Sequence, residues 1–232
     1  MGDNMKAAAV RRRPQSTRSR WLWDFLSGHS GSSEQMLAPV RQLAIEHLGL
    51  KDGDRVLDLG CGTGPNFETL RQAIGPQGRV AGVGFSARMV QRAQERIREH
   101  GWDNVEVICA DAARVRLEPE AYDAAIATFT LSAVADVRAA VDNVYAALRP
   151  GGRFFVCDLR LVPSGRVGLA IRLLGLAYRL IAGWSGRDVL EQLQARFQSV
   201  DLIMPLRPWP PVMLALARKA ETRDTSARGQ KS

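Results

Sequence analysis

The sequence predicts an α/β fold: a doubly wound, mostly parallel seven-stranded sheet with helices on both faces. Three observations lead there. Between residues 34 and 160, short apolar runs of strand length alternate with amphipathic helical segments, the pattern of βαβ units. The first of these strands, 55–59, breaks into Gly60, Gly62 and Gly64 at alternate positions, and a helical run then begins at Phe67. The chain has 232 residues, 46% of them apolar, enough for one sizeable core.

Taken in order, residues 1–20 are polar, basic and aperiodic, which predicts a disordered tail. The apolar burst Trp21-Leu22-Trp23-Asp24-Phe25-Leu26 precedes a Gly/Ser-rich stretch. It reads either as a short helix on the domain edge or as a lid whose aromatics wall off an apolar substrate. Ser33 can cap a helix with Met36, Leu37, Val40, Leu43, Ala44 and Leu48 on one face, ending at Gly49. After the first strand comes a helix over 66–74, stopped by Gly75-Pro76-Gln77-Gly78. The second strand is 79–83. Ser86 caps a helix running to His100, with Met89, Val90, Ala93 and Ile97 inward. Strands follow at 105–109 and 122–128, then a helix over 136–148 that Pro150-Gly151-Gly152 ends, then a fifth strand over 153–158. Residues 161–186 form an apolar helical insertion after that strand. A helix over 188–197 and two closing strands, 200–204 and 212–217, complete the domain. The predicted domain is 21–219, with a second disordered tail over 220–232.

The net charge of +8 suggests a nucleic-acid partner, but its placement argues against one. Residues 1–20 carry +5 and residues 217–232 carry +3, so residues 21–216 are formally neutral. The basic character belongs to the tails, not to a groove. Cys61, Cys109 and Cys157 are far apart and odd in number, which fits neither a zinc site nor a disulfide framework, so no metal is expected. Free thiols suit a reducing compartment, and no apolar stretch follows the N-terminal arginines or reaches membrane-spanning length. The expectation is a cytoplasmic protein, with peripheral membrane contact left open and the oligomeric state unread.

The chemistry lies at the carboxyl ends of the strands, where a doubly wound sheet binds ligands. Asp58, Gly60, Cys61, Gly62, Thr63, Gly64 and Asn66 follow the first strand, Gly84 and Phe85 the second, Asp111 and Ala112 the third, Thr128 the fourth, and Asp158 ends the fifth. The glycine turn opens a helix, whose free N–H groups suit an anionic or polar ligand. A plain βα turn without a ligand is the alternative for the turn alone. The spacing, however, is D-x-G-x-G-x-G rather than the dinucleotide or phosphate-loop pattern.

Asp58-Leu59-Gly60-Cys61-Gly62-Thr63-Gly64 closely resembles the first motif of class I S-adenosylmethionine-dependent methyltransferases, and the fold it implies is their Rossmann-like sheet. Ala110-Asp111-Ala112 resembles that family's adenine-recognition motif. Tyr122-Asp123, Thr128-Phe129-Thr130-Leu131-Ser132 and Leu148-Arg149-Pro150-Gly151-Gly152 resemble its next stretch. The resemblance covers about residues 34–160, and within it Gly64-Pro65-Asn66-Phe67 and the closing Asp158-Leu159-Arg160 resemble the branch that includes quinone-biosynthesis C-methyltransferases and phosphatidylethanolamine N-methyltransferases. It implies S-adenosyl-L-methionine as cofactor. The glycines would pass under its methionine part, and Asp58 would help place its amino group. Asp111 and the Ala112 N–H would read adenine, with Phe85 and Met89 flanking the ring. It also implies methyl transfer to a hydrophobic small molecule: a lipid amine, a quinone precursor or a secondary metabolite.

One position departs from the family. Gly84 stands where an acid at the end of the second strand would accept hydrogen bonds from the ribose hydroxyls, and no neighbouring carboxylate replaces it. The lost contact weakens binding by about 100-fold on the scale of charged hydrogen bonds. Three readings stand: the cofactor is held weakly or by a substituted contact, the fold serves other chemistry such as a cyclisation or isomerisation, or Gly84 disables the site. A non-catalytic, membrane-associated protein is a further alternative. The candidates for proton transfer are His29 and Asp158. Trp184 and Trp209 are candidates, with Trp21 and Trp23, to surround a greasy substrate.

Overall fold

In a computed structural model, the structure describes residues 37–160, 169, 172–177, 188–204 and 212–221. His29, Ser33, Trp21, Trp23, Trp184, Trp209, both tails and most of the 161–186 segment lie outside the described residues.

Seven strands form one sheet. They are β1 (Arg55–Leu59), β2 (Arg79–Gly84), β3 (Val105–Cys109), β4 (Tyr122–Thr128), β5 (Leu148–Leu159), β6 (Ser199–Leu202) and β7 (Val212–Arg218). Their order is β3-β2-β1-β4-β5-β7-β6. The first five run parallel, and β7 is antiparallel to both β5 and β6. The helices are α1 (Ala38–Leu48), α2 (Phe67–Ile74), α3 (Ala87–Glu99), α4 (Val137–Ala147) and α5 (Val189–Arg196).

The apolar side chains divide between the two faces of the sheet. Val56, Val80, Ile126 and Phe155 pack with Ala44 and Leu48 of α1, Phe67 and Leu70 of α2, and Ala93 of α3. Leu57, Ala81, Ala125, Phe154 and Val156 pack on the other face with Val141 and Val144 of α4 and Leu193 of α5. Strands buried on both faces are near-continuous apolar runs, which is how β1 and β4 read in the sequence.

The elements follow the expected order, and local chemistry explains their ends. Ser86 caps α3 by accepting from the Met89 N–H at 3.1 Å. Asp136 and Asp188 cap α4 and α5 in the same way. Gly49 ends α1 in the left-handed region. Most boundaries agree within a residue or so, and three elements depart further or in kind. Helix α1 is regular from Ala38, with a proline in its first turn. Strand β5 begins at Leu148, because the Pro-Gly-Gly turn is absorbed as an irregularity: Leu148 pairs with Tyr122 before the register shifts at Ala124. Strand β6 starts at Ser199 and stops at Leu202 rather than reaching Met204.

Candidate functional site

The sheet order reverses between β1 and β4, so the carboxyl ends of these adjacent strands open the crevice where such sheets bind ligands. Asp58 and Gly60 come from the first, Thr128 and Thr130 from the second.

The glycine turn is tied down on two sides. Gly60 and Cys61 both donate their N–H to the Val83 carbonyl of β2, at 2.7 and 3.0 Å. On the other side Gly60 touches the β4 loop: a Cβ at Gly60 would lie 2.0 Å from Thr130 Oγ1. Gly60, with φ 76°, needs both the left-handed backbone and the missing side chain. Met89 comes from α3 to the same turn, its Sδ 3.9 Å from where a Cβ on Gly62 would be.

The Thr130 loop is itself held by Asp158. This carboxylate is fully buried and accepts from four donors. Ser132 Oγ and the Leu159 N–H, at 2.5 and 2.8 Å, meet one oxygen, and the N–H groups of Thr130 and Ser132, at 3.1 and 3.2 Å, meet the other. Burial raises its pKa and these hydrogen bonds pull it back. The connection runs from Asp158 through Thr130 to Gly60. Phe129, between Thr128 and Thr130, has φ 51°, an uncommon conformation for a bulky residue and a mark of local strain at the mouth of the crevice. Its N–H donates to the Cys157 carbonyl at 2.7 Å.

Asp58 is different. It is 1% exposed and accepts from the Asn66 side-chain amide, 3.3 and 3.2 Å from its two oxygens. Burial pushes its carboxyl up to about 7, and the neutral Asn66 lowers it only in part. A buried carboxylate with a neutral partner at the mouth of a crevice suits a cationic ligand group, which would return the charge its burial disfavours. The Thr128 hydroxyl is buried and has no hydrogen-bond partner among the described residues, a second polar group that a ligand can satisfy. Cys61 beside it is a poor nucleophile: burial, reinforced by the Asp58 charge, holds its thiol protonated well above the ordinary range.

The other predicted residues fall around this centre. Asp111 is part of its own turn, accepting from the Ala113 N–H at 3.0 Å, with Arg114 Nε 3.8 Å from its second oxygen. Ala112 is buried, and its carbonyl accepts from Asn143 at 2.9 Å. Phe85 and Met89 are half-buried along β2 and α3. Thr63 is buried in the glycine turn and Gly64 N donates to the Cys61 carbonyl at 2.9 Å. Gly84 lies at the end of β2 beside Val90 and Cys61: a Cβ there would be 2.5 Å from Val90 Cγ2 and 3.5 Å from Cys61 Sγ. Among the described residues no cluster of His, Cys, Asp and Glu is placed to hold a metal, and no helix is long and apolar enough to cross a membrane. Sequence reasoning missed Thr130, Ser132 and Val90 as parts of the site. The first two lay in a motif already noted. Their roles depend on a contact to Gly60 that no local pattern encodes.

Residues 50–201 match the family model described as "Methyltransferase domain". A 37.1 kDa uncharacterized protein in a transposon of Streptomyces fradiae is 37% identical over 113 residues, which are 49% of this chain and 32% of that protein. The ubiquinone/menaquinone biosynthesis C-methyltransferase of Hahella chejuensis is 30% identical over 119 residues, 51% of this chain and 48% of the relative. The chain therefore spans half or less of the length of these curated relatives. Among solved structures, the geranyl diphosphate C-methyltransferase of Streptomyces coelicolor superposes with a TM-score of 0.64 at 16% identity, covering 81% of this chain and 80% of that one. The [4+2]-cyclase SpnF superposes with a TM-score of 0.59 at 21% identity, covering 79% and 82%.

Proposed function

The chain belongs to the methyltransferase-domain family, the class I S-adenosylmethionine-dependent methyltransferases, and on that premise we propose that it transfers a methyl group from S-adenosylmethionine to a hydrophobic small molecule. A lipid amine, a quinone precursor or a secondary metabolite fits this class. The observation that carries the reading is the pair of polar groups at the strand switch point: Asp58, buried with a neutral partner, and Thr128, buried with none.

S-adenosylmethionine, when bound, supplies a methyl group already activated by its sulfonium. The protein's own residues then have three tasks. Asp58 meets the ligand's ammonium, and Asn66 orients Asp58. The turn Gly60–Gly64 brings backbone close to the ligand without side chains in the way. Phe85 and Met89 supply apolar surface for a flat ring, with Asp111 and the Ala112 N–H at its polar edge. Alignment and exclusion of water supply most of the rate for such a transfer, so no dedicated base is required for an amine or an easily ionised carbon. Asp158 contributes by holding Thr130 against Gly60 rather than by moving a proton. A hydrophobic acceptor partitions into lipid, which suits a cytoplasmic protein working near a membrane surface.

The test is incubation of the purified chain with methyl-labelled S-adenosylmethionine and separate pools of lipid amines and demethylated quinones. Label in an extractable product supports the reading. Cofactor binding without label transfer to any pool removes it.

A second reading keeps the fold and drops the transfer. Gly84 and Val90 leave the ribose edge of the crevice without a carboxylate, and SpnF has the same fold with the name of a cyclase. An isomerised or cyclised product carrying no label favours this reading over the first.

A further inference from the structure

Residues 169 and 172–177 are helical. Leu169, Arg172, Leu173 and Leu176 lie at i, i+3, i+4 and i+7, which places them on one face. That spacing normally points into a core. Here it points outward: Leu169, Leu173 and Leu176 are 72%, 60% and 55% exposed. Arg172 on the same face is exposed as well; off this face Leu174 is less open, at 38%, Ala177 is exposed and Gly175 is buried. Three leucines open to water on one face within eight residues form a patch that a soluble surface rarely leaves bare.

The sequence around this face indicates what covers it. Residues 159–187 contain five arginines and no Asp, Glu or Lys. Arg160 is already taken by Asp188, at 2.8 Å. The others, at 166, 172, 179 and 187, have no acid within the segment to answer them. A second copy laid against this face would bring the two Arg172 side chains together with no carboxylate among residues 169 and 172–177 to answer them. An apolar protein partner would bury Arg172 beside the leucines without a counter-charge. An anionic lipid surface satisfies both halves at once: leucines enter the acyl boundary while arginines meet headgroup phosphates. The basic residues 1–20, with net charge +5, add attraction to the same kind of surface.

We propose that the Leu169–Leu173–Leu176 face, flanked by Arg172, docks the protein onto anionic bilayers. This goes beyond methyl transfer and holds whether or not the chain methylates anything.

The experiment is flotation of the full chain with phosphatidylcholine vesicles and with vesicles containing about a third phosphatidylglycerol, at low and physiological salt. Flotation is expected with the anionic vesicles and weakens with salt. Leu173→Ser/Leu176→Ser lowers the bound fraction by about tenfold or more, since several buried methylene groups are lost. Arg172→Gln lowers it by about fivefold. All three side chains changed are exposed, so unchanged thermal melting of each variant is expected and checks that the fold persists. No flotation with anionic vesicles overturns the proposal. Flotation that ignores the leucine substitutions also overturns it, because the basic tails alone then account for binding. A dimer in solution that the double-serine variant dissociates overturns it in favour of contact between copies.

Discussion

The Cγ2 methyl of Val90 stands 2.5 Å from the point a Cβ on Gly84 would occupy. The two positions are therefore one packing unit: the space that a side chain at the end of β2 would take is filled from α3. Restoring a carboxylate at Gly84 alone is expected to fail. Gly84→Asp should lower stability by about 1–3 kcal/mol through overpacking against a stiff β-branched neighbour, with little gain in cofactor affinity. Gly84→Asp/Val90→Ala should recover the stability and bind S-adenosylmethionine more tightly than the parent chain. Thermal melts and titration calorimetry on the parent, Gly84→Asp, Val90→Ala and the double variant decide it. A double variant no better than Gly84→Asp would show the two positions to be independent.

Asp58 makes stability depend on pH. Burial pushes its carboxyl up to about 7 in the folded chain, from an ordinary value of 3.8. Below the lower value both states hold the proton and there is no effect. Between the two, the folded chain keeps a proton that the unfolded chain has shed, so stability falls as pH rises and the full cost is present above about 7. That cost is on the order of 4 kcal/mol. Asp58→Asn should therefore melt higher than the parent at pH 8, with the advantage vanishing toward pH 4.

The same group links cofactor binding to protons. A cationic amino group beside Asp58 favours the ionised form, so affinity should rise as pH increases from 5.5 to 7.5, with proton release on binding. Calorimetry in buffers of different ionisation enthalpy reads that release. In Asp58→Asn, binding should be weaker and flat across this range. A pH-dependent Asp58→Asn would assign the proton to another group.

Asp158 is expected to behave as a positioning residue. Each of its oxygens accepts from two donors, so an amide in either orientation sets an NH2 against donors it cannot accept from. Asp158→Asn should cost about 3 kcal/mol and weaken cofactor binding through the Thr130 loop. Ser132→Ala, which leaves three donors in place, should cost about 1–2 kcal/mol. If Asp158→Asn instead keeps its melting temperature and loses only turnover, with a changed pH–rate profile, Asp158 carries a proton.

Gly60→Ala should abolish cofactor binding, because the new methyl meets Thr130 Oγ1 at 2.0 Å on a backbone with φ 76°. Thr130→Gly in the same chain should restore part of the binding by removing the obstructing side chain, while the backbone strain remains. An unaltered Gly60→Ala affinity would detach this turn from the ligand.

The sheet was legible because its strands are buried on both faces and its helices carry their own caps. Ser86, Asp136 and Asp188 each mark a helix start in one letter, and each side chain accepts from a backbone N–H there. The run of Asp58 and alternate glycines was legible for a similar reason, since turn geometry restricts which residues can occupy it. Strand β5 was misread at its start because the helix-stopping turn also forms ladder bonds, and only the register with Tyr122 reveals that. Val90 was assigned to the core, correctly for α3, but its contact with Gly84 depends on how α3 lies against β2. Asp158 is a candidate for proton transfer in the sequence because of its place at a strand end. Its four donors come from a loop 26 to 28 residues earlier and from its own neighbour, and no spacing rule connects them.

The sheet order has a consequence for vectorial synthesis. Strand β7 inserts between β5 and β6, and β6 has no other neighbour in the sheet. While β7 is still unmade, the β5 edge stands open with Phe155 and Cys157 on one side and Phe154 and Val156 on the other, all fully buried once the sheet is complete. An apolar parallel strand with an unpaired edge is a template for pairing with another chain. A nascent chain paused after β6 is thus the species most exposed to aggregation, and holdase capture should peak there and fall once β7 has closed the gap.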